Sequence, residues 1–201
     1  MTTYATLKSD CADWLNRTDL TTAIPSFVRL CEATIRRDVR VRAMDTTADI
    51  TITSGAASLP TGFIEARRLI LDNTTAWNLD YVTPEVLYSS EVYNESGTSV
   101  CYTIEGESLV FRPLASETAK MLYIKAFTAL SGETDTNWLL TNAYDVYLYG
   151  TLLHAAPYVK EDARVATWAQ LYSQAVQQVN KQDNLSRFSG SALKSMGEIP
   201  L

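Results

Sequence analysis

Catalysis needs a nucleophile with its base, a pair of carboxylates of unequal acidity, or a set of metal ligands, and this sequence of 201 residues offers few of each. Its single histidine, His154, stands in an aromatic-rich stretch beside Ala155, which predicts a hydrogen-bonded structural ring rather than a general base. Cys11, Cys31 and Cys101 are odd in number and widely spaced, with no paired-cysteine spacing for zinc or redox chemistry, so they read as buried free thiols. Glu105 and Glu107 flank Gly106 in an expected hairpin turn, where solvated charge is a simpler account than a glycosidase acid/base pair. Neither a His-Glu-x-x-His metal motif nor a glycine-rich phosphate loop is present. The sequence is therefore read as a non-enzyme without cofactor or metal.

Arg36, Arg37, Arg40 and Arg42 form the best-defined charged feature, and nucleic acid is the partner such a cluster suggests. DNA binding rests on neutralising phosphates, and against it stand Asp38, Asp45 and a sequence pI near 4.8. A protein contact or a solvated helix face is the leading reading of the cluster. A nucleic-acid-binding module using this arginine-rich helix is the alternative.

The elements that would carry these residues follow from periodicity. Tyr4, Leu7, Cys11, Trp14 and Leu15 fall at helical spacing, and a second, longer helix begins near Thr22 with Pro25 in its first turn, where the missing N–H costs nothing. Ile24, Val28, Cys31, Ile35 and Val39 form its apolar stripe, with Arg29, Glu32, Arg36, Arg37 and Arg40 opposite. After Met44 the pattern turns to alternation: Ala48, Ile50 and Ile52 face one way and Thr47, Asp49 and Thr51 the other, as in a strand. Further strands are expected at residues 67–71, 100–104, 109–112 and 120–127, with one short helix from about Thr83 to Ser90. From Asn137 to Lys181 the chain reads as a helical hairpin. Thr141 is the expected cap of its first arm, the turn lies around Pro157, and Val165, Trp168, Tyr172, Ala175, Val176 and Val179 stripe the second arm.

Charge separates the middle from the ends. The net charge is −6, and Lys and Arg number nine against eight Asp and Glu over residues 1–70, three against ten over 71–136, and five against five over 137–201. No apolar run approaches the roughly 18 residues of a membrane span, and the N-terminus lacks the apolar core of a signal peptide, so an intracellular protein is expected. The expected fold is α+β: a four-helix bundle of two N-terminal and two C-terminal helices, residues 1–44 and 137–183, with a small antiparallel β domain inserted at 45–136. Residues 184–201 are expected to form an extended C-terminal arm. Tyrosines and tryptophans spread around the C-terminal helices imply that some face outward or into a neighbour.

Three stretches carry a resemblance: IPSFVRLCEATIRRDVRVRAM (24–44), NWLLTNAYDVYLYGTLLHAAPYVKED (137–162) and RFSGSAL (187–193). Together they resemble the head-to-tail adaptor, or connector, proteins of phages, similar to the tail tubular A type of short-tailed phages. The resemblance implies a structural virion protein of the neck, assembled in the host cytoplasm, in a ring of about twelve identical subunits. It implies a portal protein on one side, a tail or nozzle protein on the other, and DNA passing transiently and unread through the channel. It further implies that Arg187, Phe188, Leu193, Ile199 and Leu201 of the arm contact the portal or a neighbouring subunit. No membrane partner and no catalytic motif come with it.

Overall fold

The structure is a computed structural model that describes residues 2–72, 77–89, 95–160 and 162–188, the side chains of Asp162, Arg187 and Phe188 aside. In chain order the elements are α1 (Tyr4–Leu15), α2 (Ile24–Asp38), β1 (Asp45–Ile52), β2 (Ala56–Ser58), β3 (Phe63–Leu71), β4 (Trp77–Asn78), β5 (Asp80–Tyr81), α3 (Pro84–Ser89), β6 (Cys101–Glu105), β7 (Ser108–Arg112), β8 (Glu117–Lys125), α4 (Trp138–Asn142), α5 (Tyr144–Ala155) and α6 (Asp162–Phe188). They fall into two compact units, Met1–Ala43 with Phe127–Leu201, and Met44–Ala126.

The helical unit is built around α5. Val146, Tyr147, Leu148, Gly150, Thr151, Leu152 and Ala155 are all buried, so the helix is apolar around its circumference rather than striped, as a central helix must be. α2 presents Ile24, Phe27, Val28, Cys31 and Ile35 to the core. α6 contributes Trp168, Tyr172, Ala175 and Val176. α1 is fixed at both ends: the Thr3 hydroxyl accepts the Thr6 N–H at 3.4 Å, and Asn16, at φ 49°, closes the last turn. Trp14, Tyr149 and Trp168 bring one ring each from α1, α5 and α6 to centroid separations of 5.7–6.3 Å, within the range where edge and stacked contacts add to area burial.

The second unit holds two four-stranded sheets, ordered β1-β8-β3-β4 and β2-β7-β6-β5. Ile50, Ile52, Leu69, Leu71, Ala119, Met121 and Tyr123 of the first sheet and Tyr102, Leu109 and Phe111 of the second share one core. Alternation along β1 and β8 sets this face, and the antiparallel register Asp45↔Ile124 to Ile52↔Glu117 carries it across the pair. β3 shifts register twice against β8, between Phe63 and Glu65 and between Ala66 and Arg68. Such bulges kink the strand and increase its twist. β6 and β7 meet across a two-residue turn with Gly106 at φ +59°.

The four-helix bundle with a small β insert is therefore not the fold. The described residues form six α-helices and two sheets of four strands, with β5 and β6 paired in parallel. Strands of two or three residues, β2, β4 and β5, are too short to show an alternation, so the edges of the sheets were hidden. The expected Thr141 cap is displaced: Asn137 caps α4 by accepting the Leu140 N–H at 2.9 Å, and Ala143 breaks the chain before α5. α6 runs 27 residues to Phe188, about 40 Å at 1.5 Å per residue, so residues 184–188 are helical and not an extended arm. Among the thiols, Cys11 and Cys31 are buried but Cys101 is only partly so.

Candidate functional site

The four arginines after Thr34 do not converge on one surface. Arg40 Nη1 donates to the Arg36 and Val39 carbonyls at 2.8 and 2.7 Å, so this cation closes the C-terminal end of its own helix, where positive charge is favoured. Arg42 gives both its backbone N–H and its Nε to Asp183 Oδ1 on α6, at 3.0 and 3.2 Å. Asn180 lies between these contacts, accepting the Arg40 N–H and donating to the Asp38 carbonyl, each at 3.1 Å, while the Tyr172 hydroxyl donates to Asp38 Oδ2. α2 is thus clasped to α6 by a polar seam. Arg36 and Arg37 stay exposed on the outer face of α2, as does Arg29.

The remaining candidates are structural in their surroundings. Thr34 Oγ1 pairs with His154 Nε2 at 3.2 Å and accepts from Arg37 at 3.3 Å. Burial, helped by the Arg37 charge, lowers the His154 pKa from its ordinary value. Glu105 accepts the Tyr88 hydroxyl at 2.9 Å, while Glu107 stands exposed at the β6–β7 turn. Among the described residues no three or more His, Cys, Asp or Glu are grouped to hold a metal.

One half-buried carboxylate carries a role that periodicity did not show. Glu32, expected on the solvent side, accepts the Leu130 N–H at 2.8 Å and the Tyr147 hydroxyl at 3.3 Å. Asn137 Nδ2 donates to that hydroxyl at 2.8 Å. Glu32 therefore ties the segment before α4 to α2 and α5. A lone glutamate on an arginine-rich helix face carried no signal of this, because its partners lie about a hundred residues downstream.

Two surfaces remain with the features of a protein contact: exposed aromatics beside open concavities. In the helical unit a groove of about 190 Å³ is lined by Arg42, Trp138, Asn142, Val179, Asp183 and Ser186, among others. Trp138 is half-exposed there and stacked on Phe127 at 6.1 Å. Leu185, on the last turns of α6, is 65% exposed. Arg187 and Phe188 end the helix, and Leu193, Ile199 and Leu201 lie outside the described residues. In the β unit a cavity of about 420 Å³ is lined by Trp77, Asn78, Asp80, Thr98, Ser99 and Val100, and Trp77, Tyr81 and Val100 are more than half exposed.

Exposed aromatics beside concavities are features of protein-binding surfaces. The profile of the SU10 adaptor protein family matches residues 2–194, and the chain belongs to that family. The family is one of structural phage adaptors, which implies interaction with other head and tail proteins. No curated protein matches the chain. Among the described residues no helix is long and apolar enough to cross a membrane.

Proposed function

We propose that this chain is a neck component of the virion that assembles as a ring, of about twelve copies by the symmetry such necks follow, between the portal and the tail. The match to an adaptor family across residues 2–194 is the observation that carries this reading. The helical unit attaches to the portal or to a neighbouring subunit through the end of α6 and the residues after it, with Arg187, Phe188, Leu193, Ile199 and Leu201 as the contacts. The acidic β unit meets tail components. DNA passes through the channel unread, and two of the four clustered arginines, Arg40 held on carbonyls at the end of its own helix and Arg42 on Asp183 of α6, are poorly placed to hold it.

The test mixes the purified chain with its portal and follows the mass by native mass spectrometry. A portal-bound ring is the expected product. Steeply salt-dependent binding to duplex DNA, lost on replacing Arg36 and Arg37, would instead favour a nucleic-acid-binding module.

A further inference from the structure

The chain carries two exposed surfaces of opposite charge. Between Arg68 and Arg112 there is no lysine or arginine, while Asp72, Asp80, Glu85, Glu91, Glu95, Glu105 and Glu107 all fall there. Within this stretch, β5 and α3 stand at one edge of the second sheet. β5 is its outermost strand among the described residues, paired there with β6 alone, and α3 packs on β6. Exposed apolar side chains belong to the same described stretch: Trp77, Tyr81, Val86, Tyr88 and Val100 are between 48% and 59% exposed. Tyr81 is propped edge-on against Tyr102 at 5.6 Å, and the Tyr88 hydroxyl is held by Glu105, so both rings are fixed in place before any partner arrives. That preorganisation lowers the ordering cost of binding.

The complementary surface is the outer face of α2. Arg29, Leu30, Ala33, Arg36 and Arg37 are exposed along it, with Leu30 at 52%. Positions 29, 33 and 36, and 30, 34 and 37, follow the three- and four-residue spacing that lines up side chains on a helix. The result is a basic stripe with an apolar centre, matched in sign and character to an acidic edge with apolar centres.

We propose that the α2 face of one copy docks on the β5–α3 edge of the next copy. This rests on the ring reading above and names its subunit contact. A surface on α2 meeting a different surface on the β unit is a heterologous contact, which propagates head to tail and closes into a ring or runs on as a filament. A two-fold dimer would require one patch to match itself, and neither of these does.

Complementation between variants tests this. Arg29→Glu with Arg37→Glu makes both surfaces acidic, and Asp80→Lys with Glu85→Lys makes both basic. Either variant alone should self-associate about a hundredfold more weakly than the wild type, because like charges then face each other. An equimolar mixture should recover assembly as alternating rings, which unfolded variants could not do. Sedimentation velocity reads both results. Wild-type association should also weaken as salt is raised, since exposed charges are screened. Wild-type rings that both variants match on their own leave the ring standing and overturn this contact. A wild-type chain that stays monomeric, alone and with the portal, removes the ring and the contact with it.

Discussion

Gly150 occupies the middle of a buried helix, where glycine costs about 1 kcal/mol relative to alanine. A Cβ at that position would fall inside contact distance of Cys31 Sγ and at 3.1 Å from the Tyr172 ring, so the glycine is what lets α5 approach α2 and α6 together. Gly150→Ala is expected to reverse its usual sign and destabilise the helical unit by about 1–3 kcal/mol through overpacking, measured by urea denaturation. Burial pushes the Cys11 thiol up to about 12 and the Cys31 thiol higher still. Both should resist alkylation at neutral pH in the native protein and react once it is unfolded, because the thiolate is the reactive form. Glu32 shows the opposite pH behaviour to a paired surface acid. Burial raises its carboxyl pKa, against the lowering effect of the Leu130 and Tyr147 hydrogen bonds, so the folded state keeps its proton to higher pH than the unfolded chain. The resulting stability is complete below the unfolded value of 4.5 and is lost as pH rises through the folded value. Glu32→Gln should therefore match the wild type in acid and exceed it at neutral pH in thermal denaturation.

At the scale of elements the clasp between α2 and α6 depends on Asn180, which satisfies one donor and one acceptor at the end of α2. Asn180→Ala should cost about 1–3 kcal/mol, since it leaves backbone groups at a packed junction without partners. Hydrogen exchange should quicken in the last turn of α2 before it does in the sheets. This clasp was not legible in the sequence, because an asparagine among glutamines on a long helix looks like solvent-facing polarity. What periodicity could read, it read: α1, α2, β1, the β6–β7 hairpin and β8 all stand near their expected places. The core stripe of α2 was nearly complete, lacking Phe27. α5 is buried on all sides, so a single stripe accounts for only part of its core, with Val146 and Tyr147 outside it. The second sheet was missed because its edge strands, β2 and β5, are two or three residues long and held by register, not composition. For the site, the arginine cluster was legible as charge but not as structure, since Arg40 and Arg42 make their contacts with helix carbonyls and a distant aspartate.

The whole molecule combines a helical unit whose last helix leads into residues 189–201 with a β unit bearing the acidic, aromatic edge. Stopping the chain after Phe188 keeps every described element. The truncated protein should have the thermal stability and circular dichroism of the full chain but lose portal attachment. Unchanged attachment would take those residues out of the mechanism. The proposed neck role requires stoichiometric assembly, and the mass of the purified chain mixed with its portal tests that most directly. A complex whose mass equals one portal plus a full ring of this chain is the predicted result. A chain that remains monomeric and separate from the portal, at concentrations well above those of assembly, would contradict it.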